Sequence, residues 1–235
     1  MTKKGLIILF VFLILIATLG IGLFFLKNDN QINKMPKNEK IILPQPEKDS
    51  DFSIEKALSN RRSIRNFENK ELSLEQVSQL LWAAQGITDI SGKRASPSAG
   101  ATYPLTVYLV VEKVKDLIPG VYKFIPEDHS LMFILEGEKS TALKNAALGQ
   151  GFIENAPINI VFGAIYEKTT NRYGERGIQY VHMEAGHAAQ NIYLQCESLG
   201  LGTVAVGAFD EDRVREILNM SEKEIPLYIM PVGKK

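Results

Sequence analysis

The sequence predicts a single α+β domain, and three observations carry that prediction. Helical and strand-like segments mix without strict βαβ alternation. Tyr180 to Phe209, YVHMEAGHAAQNIYLQCESLGLGTVAVGAF, reads as a small-residue helix running through Gly200 and Gly202 into a short buried strand. Of the 235 residues, about 180 remain beyond the N-terminal region, room for one ordinary core and not for two.

In chain order, residues 5–26 form a run of 22 without a charge, enough to cross a bilayer's hydrocarbon core of about 30 Å at about 1.5 Å per residue. It is read as a single-pass anchor that places the protein at a membrane. A cleaved signal peptide is the alternative, but its apolar region is usually about 7 to 15 residues and no Ala-x-Ala site follows here. Lysines flank both sides, so the side of the folded domain is open. Residues 27–50, rich in Asn, Lys and Pro, read as a linker, and the folded domain as 51–235.

Ser53 to Asn60 reads as a short helix. Ser73 and Gln76 have capping-box spacing, and Leu74, Val77, Leu81 and Ala84 line one face of a helix that Gly86 can close. Thr106–Val111 reads as a strand, 120–125 with 130–135 as a hairpin, and Asn159–Ile165 as a buried strand. A long helix spans 177–199, a strand 203–208, a helix 210–218 and a last strand 227–232.

Acidic and basic residues balance at 27 each, which leaves no global field to recruit nucleic acid. The sole cysteine, Cys196, cannot close an intrachain disulfide, and its place on an apolar helix face suits a buried thiol.

Two further segments offer chemistry. Arg61-Arg62-Ser63-Ile64-Arg65 brings cations and a hydroxyl together at the end of a short helix, and alternate residues of an extended chain point one way, so Arg61, Ser63 and Arg65 can face one anion. Alone, this segment reads as a solvated basic turn. Ser96 to Pro104, SPSAGATYP, is a rigid loop of small residues able to lie against a planar ring; alone it is an ordinary turn before a strand.

In this order, the arginine segment, the Pro97 loop and the helix ending at Gly200-Leu201-Gly202 resemble the nitroreductase superfamily of flavin mononucleotide (FMN) enzymes, and within it the SagB-type dehydrogenase branch. The likeness covers roughly residues 51–233. It implies a nitroreductase-like fold, FMN as cofactor, and a homodimer whose interface helps build the flavin sites, with the small-residue face at Ala185, Ala188 and Ala189 as the dimer surface. It also implies an FMN-dependent oxidoreductase moving two electrons through flavin N5, with NAD(P)H as donor and a small-molecule or peptide substrate. A peptide or heterocycle (azoline-type) dehydrogenase is an alternative, as is a flavin-binding or scaffolding module without turnover.

By the same resemblance, Arg61 and Ser63 hold the phosphate, Arg62 adds secondary contacts, and Arg65 approaches the pyrimidine edge, where a guanidinium stabilises charge on reduced flavin. Pro97, Ser98, Ala99 and Ala101 lie over the ring; Val206, Gly207 and Ala208 pass near its redox-active edge; Lys234 reaches toward the phosphate. The one catalytic candidate is Tyr173. Azoline-oxidising relatives pair a lysine with this tyrosine, whereas here Arg172 precedes it, and a guanidinium does not take up a proton as a lysine of lowered pKa can.

Two other patterns are set aside. Gly200-Leu201-Gly202-Thr203-Val204-Ala205 matches G-x-G-x-x-A but follows a helix and opens a strand, the reverse of a dinucleotide-binding turn. His182 and His187 lie about 140° apart around a helix, and Glu184-x-x-His187 has no second copy, so no metal site is expected. His187 and Gln190 read as polar packing or as groups beside the flavin's own ligands.

Overall fold

The computed structural model describes residues 36–235. Its seven strands among the described residues are β1 (Lys40–Ile42), β2 (Leu105–Val111), β3 (Gly120–Ile125), β4 (Ser130–Glu136), β5 (Ile158–Ala164), β6 (Leu201–Thr203) and β7 (Ile225–Lys234). They form one sheet in the order β1-β4-β3-β2-β5-β7-β6, with every neighbouring pair antiparallel. Antiparallel pairing needs no helical crossover between neighbours, which is why the sequence shows no βαβ alternation.

The helices are α1 (Ile54–Asn60), α2 (Leu74–Gln85), α3 (Ser140–Ala146), α4 (Phe152–Asn155), α5 (Glu167–Tyr173), α6 (Arg176–Ser198) and α7 (Glu211–Ile217). They cover both faces of the sheet. On one face Tyr108, Val110, Val161 and Ile229 pack with Leu143 and Ala146 of α3, Ile153 of α4 and Val214 of α7. Leu109, fully buried between them in sequence, points the other way. On that side α6 runs against β2 and β7 and is flanked by α1, α2 and α5.

Local chemistry explains the helix ends. Ser73 and Gln76 form the complete capping box of α2, and Ser53 and Asp210 cap α1 and α7 by accepting from Lys56 N and Arg213 N. Gly86 closes α2 for a reason other than left-handed backbone. Its φ is −65°, and a side chain there would collide with Trp82.

Four expectations are corrected. The linker assigned to 27–50 is structured from about residue 40: Lys40–Ile42 forms the edge strand β1, Leu43 is buried, and Glu47 exchanges two hydrogen bonds with the Gln79 side chain (2.8 and 2.9 Å). Three apolar residues, Ile41, Ile42 and Leu43, are too few to show a period among Asn, Lys and Pro. The strand expected at 203–208 is shorter, ending at Thr203, with only a single antiparallel bridge from Val206 to Ile229 beyond it.

The small-residue face of α6 is not a dimer surface. Ala185, Ala188 and Ala189 are at most 4% exposed, because they let α6 approach the chain's own sheet and α2 closely. The membrane localisation is corrected as well: no helix among the described residues is long and apolar enough to cross a membrane, and residues 5–26, on which the anchor rested, lie outside the described residues.

Candidate functional site

The arginine segment leaves α1 at Arg61 and runs as extended chain beside β6. Ile64 N donates to Thr203 O (2.9 Å), and Ser63 forms a parallel bridge with Thr203. Ile64 packs flat on Gly202, where a Cβ would come within 2.7 Å of it. A glycine in β6 therefore sets how closely the segment approaches the sheet.

Ile64 is half-buried, while its neighbours Ser63 and Arg65 are exposed. Arg61 lies over the Tyr193 ring (5.2 Å), Arg65 over the Phe152 ring (5.7 Å), and Ser63 Oγ is 3.1 Å from Tyr193 Oη. Stacking on aromatic faces holds each guanidinium without consuming its N–H donors. Arg62 turns away: its Nη1 donates to Ser59 O (3.2 Å) and Arg61 O (2.7 Å), capping the end of α1.

Tyr193 of α6 joins this segment to the next. Its hydroxyl accepts from Ala205 N (2.8 Å), which fixes the chain just before Val206, Gly207 and Ala208. Gly207 and Ala208 are exposed, and the Gln150 side chain donates to Ala208 O (3.2 Å). Val206 is 5% exposed and its side chain belongs to the core. Lys234 ends β7 opposite Leu201, and its carbonyl accepts from Glu68 N (2.8 Å). Its neighbour Lys235 is held by the buried Glu197 carboxylate at 2.7 Å.

The loop from Ser96 to Pro104 is anchored by another residue of α6. Asn191 donates to Ala83 O (2.9 Å) and Ser96 Oγ (3.0 Å). Ser98 Oγ accepts from Tyr103 N (2.9 Å), closing the loop on itself. Between them Gly100, Ala101 and Tyr103 all have positive φ (57°, 54° and 45°). At the second and third of these a side chain is strained, each at a cost on the order of 1 kcal/mol. Arg172 Nη1 donates to Gly100 O (3.1 Å), and a Cβ at Gly100 would strike the Tyr173 hydroxyl. Tyr173 is thus brought to this loop.

Two clusters near the loop are built of charges. Glu224, 2% exposed, accepts from Lys123 Nζ (2.8 Å), Tyr108 Oη (3.0 Å) and Ser221 N (2.9 Å). Burial pushes its carboxyl up, but the Lys123 hydrogen bond, the Ser221 N–H and the Lys123 charge outweigh it and hold the pKa at about 2. Burial, then Arg94 and Lys123, push the Lys168 amine down. Glu184 of α6 is buried and burial pushes it up to about 7, against Ser98, Arg94, Gln85 and Lys168, which pull it down. His187 is exposed one turn away, so the two do not share an environment.

The structure thus assembles Arg61, Ser63, Arg65, Gly207 and Ala208 through Tyr193 and Gln150, and Pro97 to Ala101 with Tyr173. Both assemblies hang on α6, the first at Tyr193 and the second at Asn191, with Glu184 two turns further toward the helix N-terminus beside Ser98. Asn191 reads from the sequence as a hydrogen-bonding group on the approachable surface of the helix; Tyr193, Gln85 and Arg94 escaped the sequence reading because each acts through a hydrogen bond across more than one element. The only signal was that polar side chains interrupt an apolar helix face at Glu184, Asn191 and Gln195.

An antiparallel sheet with helices on both faces, a basic segment at its edge and a small-residue loop against a long central helix define an α+β protein with a candidate anion-binding edge. The chain belongs to the Nitroreductase family, whose model matches residues 58–234. A Methanocaldococcus jannaschii protein assigned as a nitroreductase is 50% identical over 196 residues, which are 83% of this chain and 96% of that one. The FMN reductase [NAD(P)H] of Bacillus subtilis is 25% identical over 192 residues, 76% of this chain and 62% of that protein. A solved nitroreductase structure from Ralstonia eutropha superposes with a TM-score of 0.73 at 28% identity, covering 85% of this chain and 94% of the other. The chain is therefore of an oxidoreductase class, and FMN is the cofactor that members of this family use.

Proposed function

We propose that this chain is an FMN-dependent oxidoreductase, with a reduced nicotinamide as its electron donor and a small-molecule or peptide substrate. The observation that carries the reading is that Arg61 and Arg65 stack on the Tyr193 and Phe152 rings while the Tyr193 hydroxyl links Ser63 to Ala205, two residues before the exposed Gly207. Two guanidinium groups and a hydroxyl are a donor set suited to a phosphate dianion and to an electron-rich ring edge. The FMN reductase relative supports the same cofactor.

Bound flavin would supply two-electron transfer through N5. The chain's own contribution is binding, orientation and electrostatics. Arg61 and Ser63 would hold the phosphate, with Lys234 at the neighbouring strand end. Arg65 would offset negative charge at the pyrimidine edge. Pro97, Ser98, Ala99 and Ala101 would cover the ring, and Gly207 and Ala208 would leave its reactive edge open to substrate. Tyr173, next to Gly100, would touch what lies under the loop. The SagB-type branch rests on the motif resemblance alone. A homodimer that completes the site belongs to the same proposal, with exposed Ile54 and Leu58 of α1 and Ile178 and Met183 of α6 as its apolar contacts.

The test is an absorption spectrum of purified protein before and after anaerobic NADH and NADPH. Flavin bands that bleach support the reading and identify the donor; a protein that cannot be reconstituted with FMN refutes it. The variant Arg61→Ala with Arg65→Ala is expected to lose FMN affinity by at least a hundredfold, at about 1.4 kcal/mol per tenfold. Wild-type affinity in that variant refutes the phosphate and pyrimidine assignments.

A further inference from the structure

Behind the loop that carries Ser98 lies a group of buried polar side chains that the flavin reading does not use. Glu184, on the inward face of α6, is 2% exposed, and its Oε1 finds no hydrogen-bond partner among the described residues. Gln85, at the end of α2 and fully buried, stands beside it, as do Arg94 and Ser98. Arg94 Nη1 donates to Gln85 Oε1 (3.0 Å), Nη2 to Glu127 (3.2 Å), and the guanidinium covers the Tyr103 ring at 4.5 Å. Gln85 Nε2 and Arg94 Nε are likewise without a partner among the described residues.

Two donors and one acceptor are thus in hand around a single carboxyl, and they touch both ends of the loop. Ser98 is its first fixed point. Arg94 holds the second, since the Tyr103 ring lies beneath its guanidinium and the Tyr103 hydroxyl accepts from Arg94 N (3.3 Å). The residues between, Ala101 and Tyr103 among them, hold positive φ and persist in that conformation only if their surroundings enforce it. Ser98 Oγ already accepts from Tyr103 N, so its own proton is free to be given to a carboxyl oxygen.

We propose that Glu184 is the positioning residue of the Ser98–Tyr103 loop, fixing Ser98 directly and Tyr103 through Arg94. As a neutral acid it accepts from Ser98 and leaves Arg94 on Gln85, Glu127 and Tyr103. As a carboxylate it demands more donors, and Arg94 Nε and Gln85 Nε2 are buried donors without a partner among the described residues. Turning toward it, Arg94 leaves the Tyr103 ring, and the loop loses its second fixed point. The charged groups that face Glu184 are Arg94 from the segment before the loop and Lys168 from α5; Glu127 reaches it through Arg94 and Lys123 through Lys168. Both direct neighbours are cations and favour the carboxylate, and burial outweighs them up to a pH of about 7. The loop is therefore expected to loosen as pH rises through that value.

The consequence for catalysis rests on the flavin reading above, but the loop's own behaviour does not. Amide hydrogen exchange in the full chain, as protection factors corrected for intrinsic rate, measures the loop at residues 98–103, with Leu109 of β2 as an internal control. In wild type, protection of the Tyr103 amide is expected to fall about tenfold from pH 6 to pH 8 while Leu109 is unchanged. Glu184→Gln, isosteric with the neutral acid, is expected to abolish the pH dependence and keep the protection. Glu184→Ala is expected to lose loop protection at both pH values with Leu109 retained. The same pH profile in wild type and Glu184→Gln overturns the proposal, as does full loop protection in Glu184→Ala. FMN titration of the same proteins tests the flavin reading separately, since a chain that binds no FMN still reports its loop.

Discussion

Replacing Lys123 by Met removes the cation from the most enclosed ion pair near the site while keeping an unbranched chain of similar length. Glu224 then retains Tyr108 Oη and Ser221 N, at 2% exposure. The native environment lowers its carboxyl from 4.5 to about 2, net of the burial that opposes it. At about 1.36 kcal/mol per pH unit this favours the folded state by on the order of 3 kcal/mol at neutral pH. Because the folded-state value is the lower one, the contribution is fully present above pH 4.5 and is lost as pH falls toward 2. Lys123→Met is therefore expected to cost about 3–5 kcal/mol at pH 7, the range for leaving a buried charge unpaired. Urea unfolding measures this as a lower midpoint with unchanged slope. The acid limb of the stability profile should also move to higher pH. Adding Glu224→Gln should restore more than half of the loss, since no charge is then left buried. A loss below about 0.5 kcal/mol, the scatter of an exposed substitution, would refute the reasoning, and so would an unmoved acid limb.

Two more substitutions test the site's construction. Gly202→Ala places a methyl group 2.7 Å from Ile64; it should cost about 1–3 kcal/mol in urea unfolding and weaken FMN binding at least tenfold by lifting the arginine segment off β6. Tyr193→Phe strips Ala205 N of its acceptor and Ser63 of its neighbour. It is expected to cost about 1–3 kcal/mol and to lower FMN affinity, measured by fluorescence titration, without changing the far-ultraviolet circular dichroism.

Much of this was legible in the sequence, and the reasons differ by element. The α2 capping box, the β3–β4 hairpin and the buried β5 strand are written in local patterns, Ser73 with Gln76, turn residues 126–129, and an apolar run, that need no tertiary partner to be read. The edge strand β1 was missed because three residues beside β4 gain their stability from pairing, not from any pattern of their own. The alanines of α6 were legible as a close-packing surface but not as to which surface they meet, since a sheet and a second subunit ask for the same small side chains. In the arginine segment, alternation could group Arg61, Ser63 and Arg65 but could not show that the Arg62 side chain turns back to cap the preceding helix. Gly202 carried a signal that was attributed only to the helix-to-strand turn. Its second use, admitting Ile64, depends on a contact with a residue far away in sequence.

The bridge between Ser63 and Thr203 also bears on how the sheet ends. A border strand offers unpaired backbone groups that another chain can extend, and three-residue β6 has one such flank. Ile64 occupies it by donating to Thr203 O, so the stretch that presents the arginines is at the same time the stopper of the sheet. Whatever steadies Arg61 and Ser63 steadies that stopper. Ligand loss would therefore be paid for in colloidal behaviour: the empty protein should be the one that adds copies of itself along this border, making occupancy of the site and solubility of the chain two readings of one equilibrium.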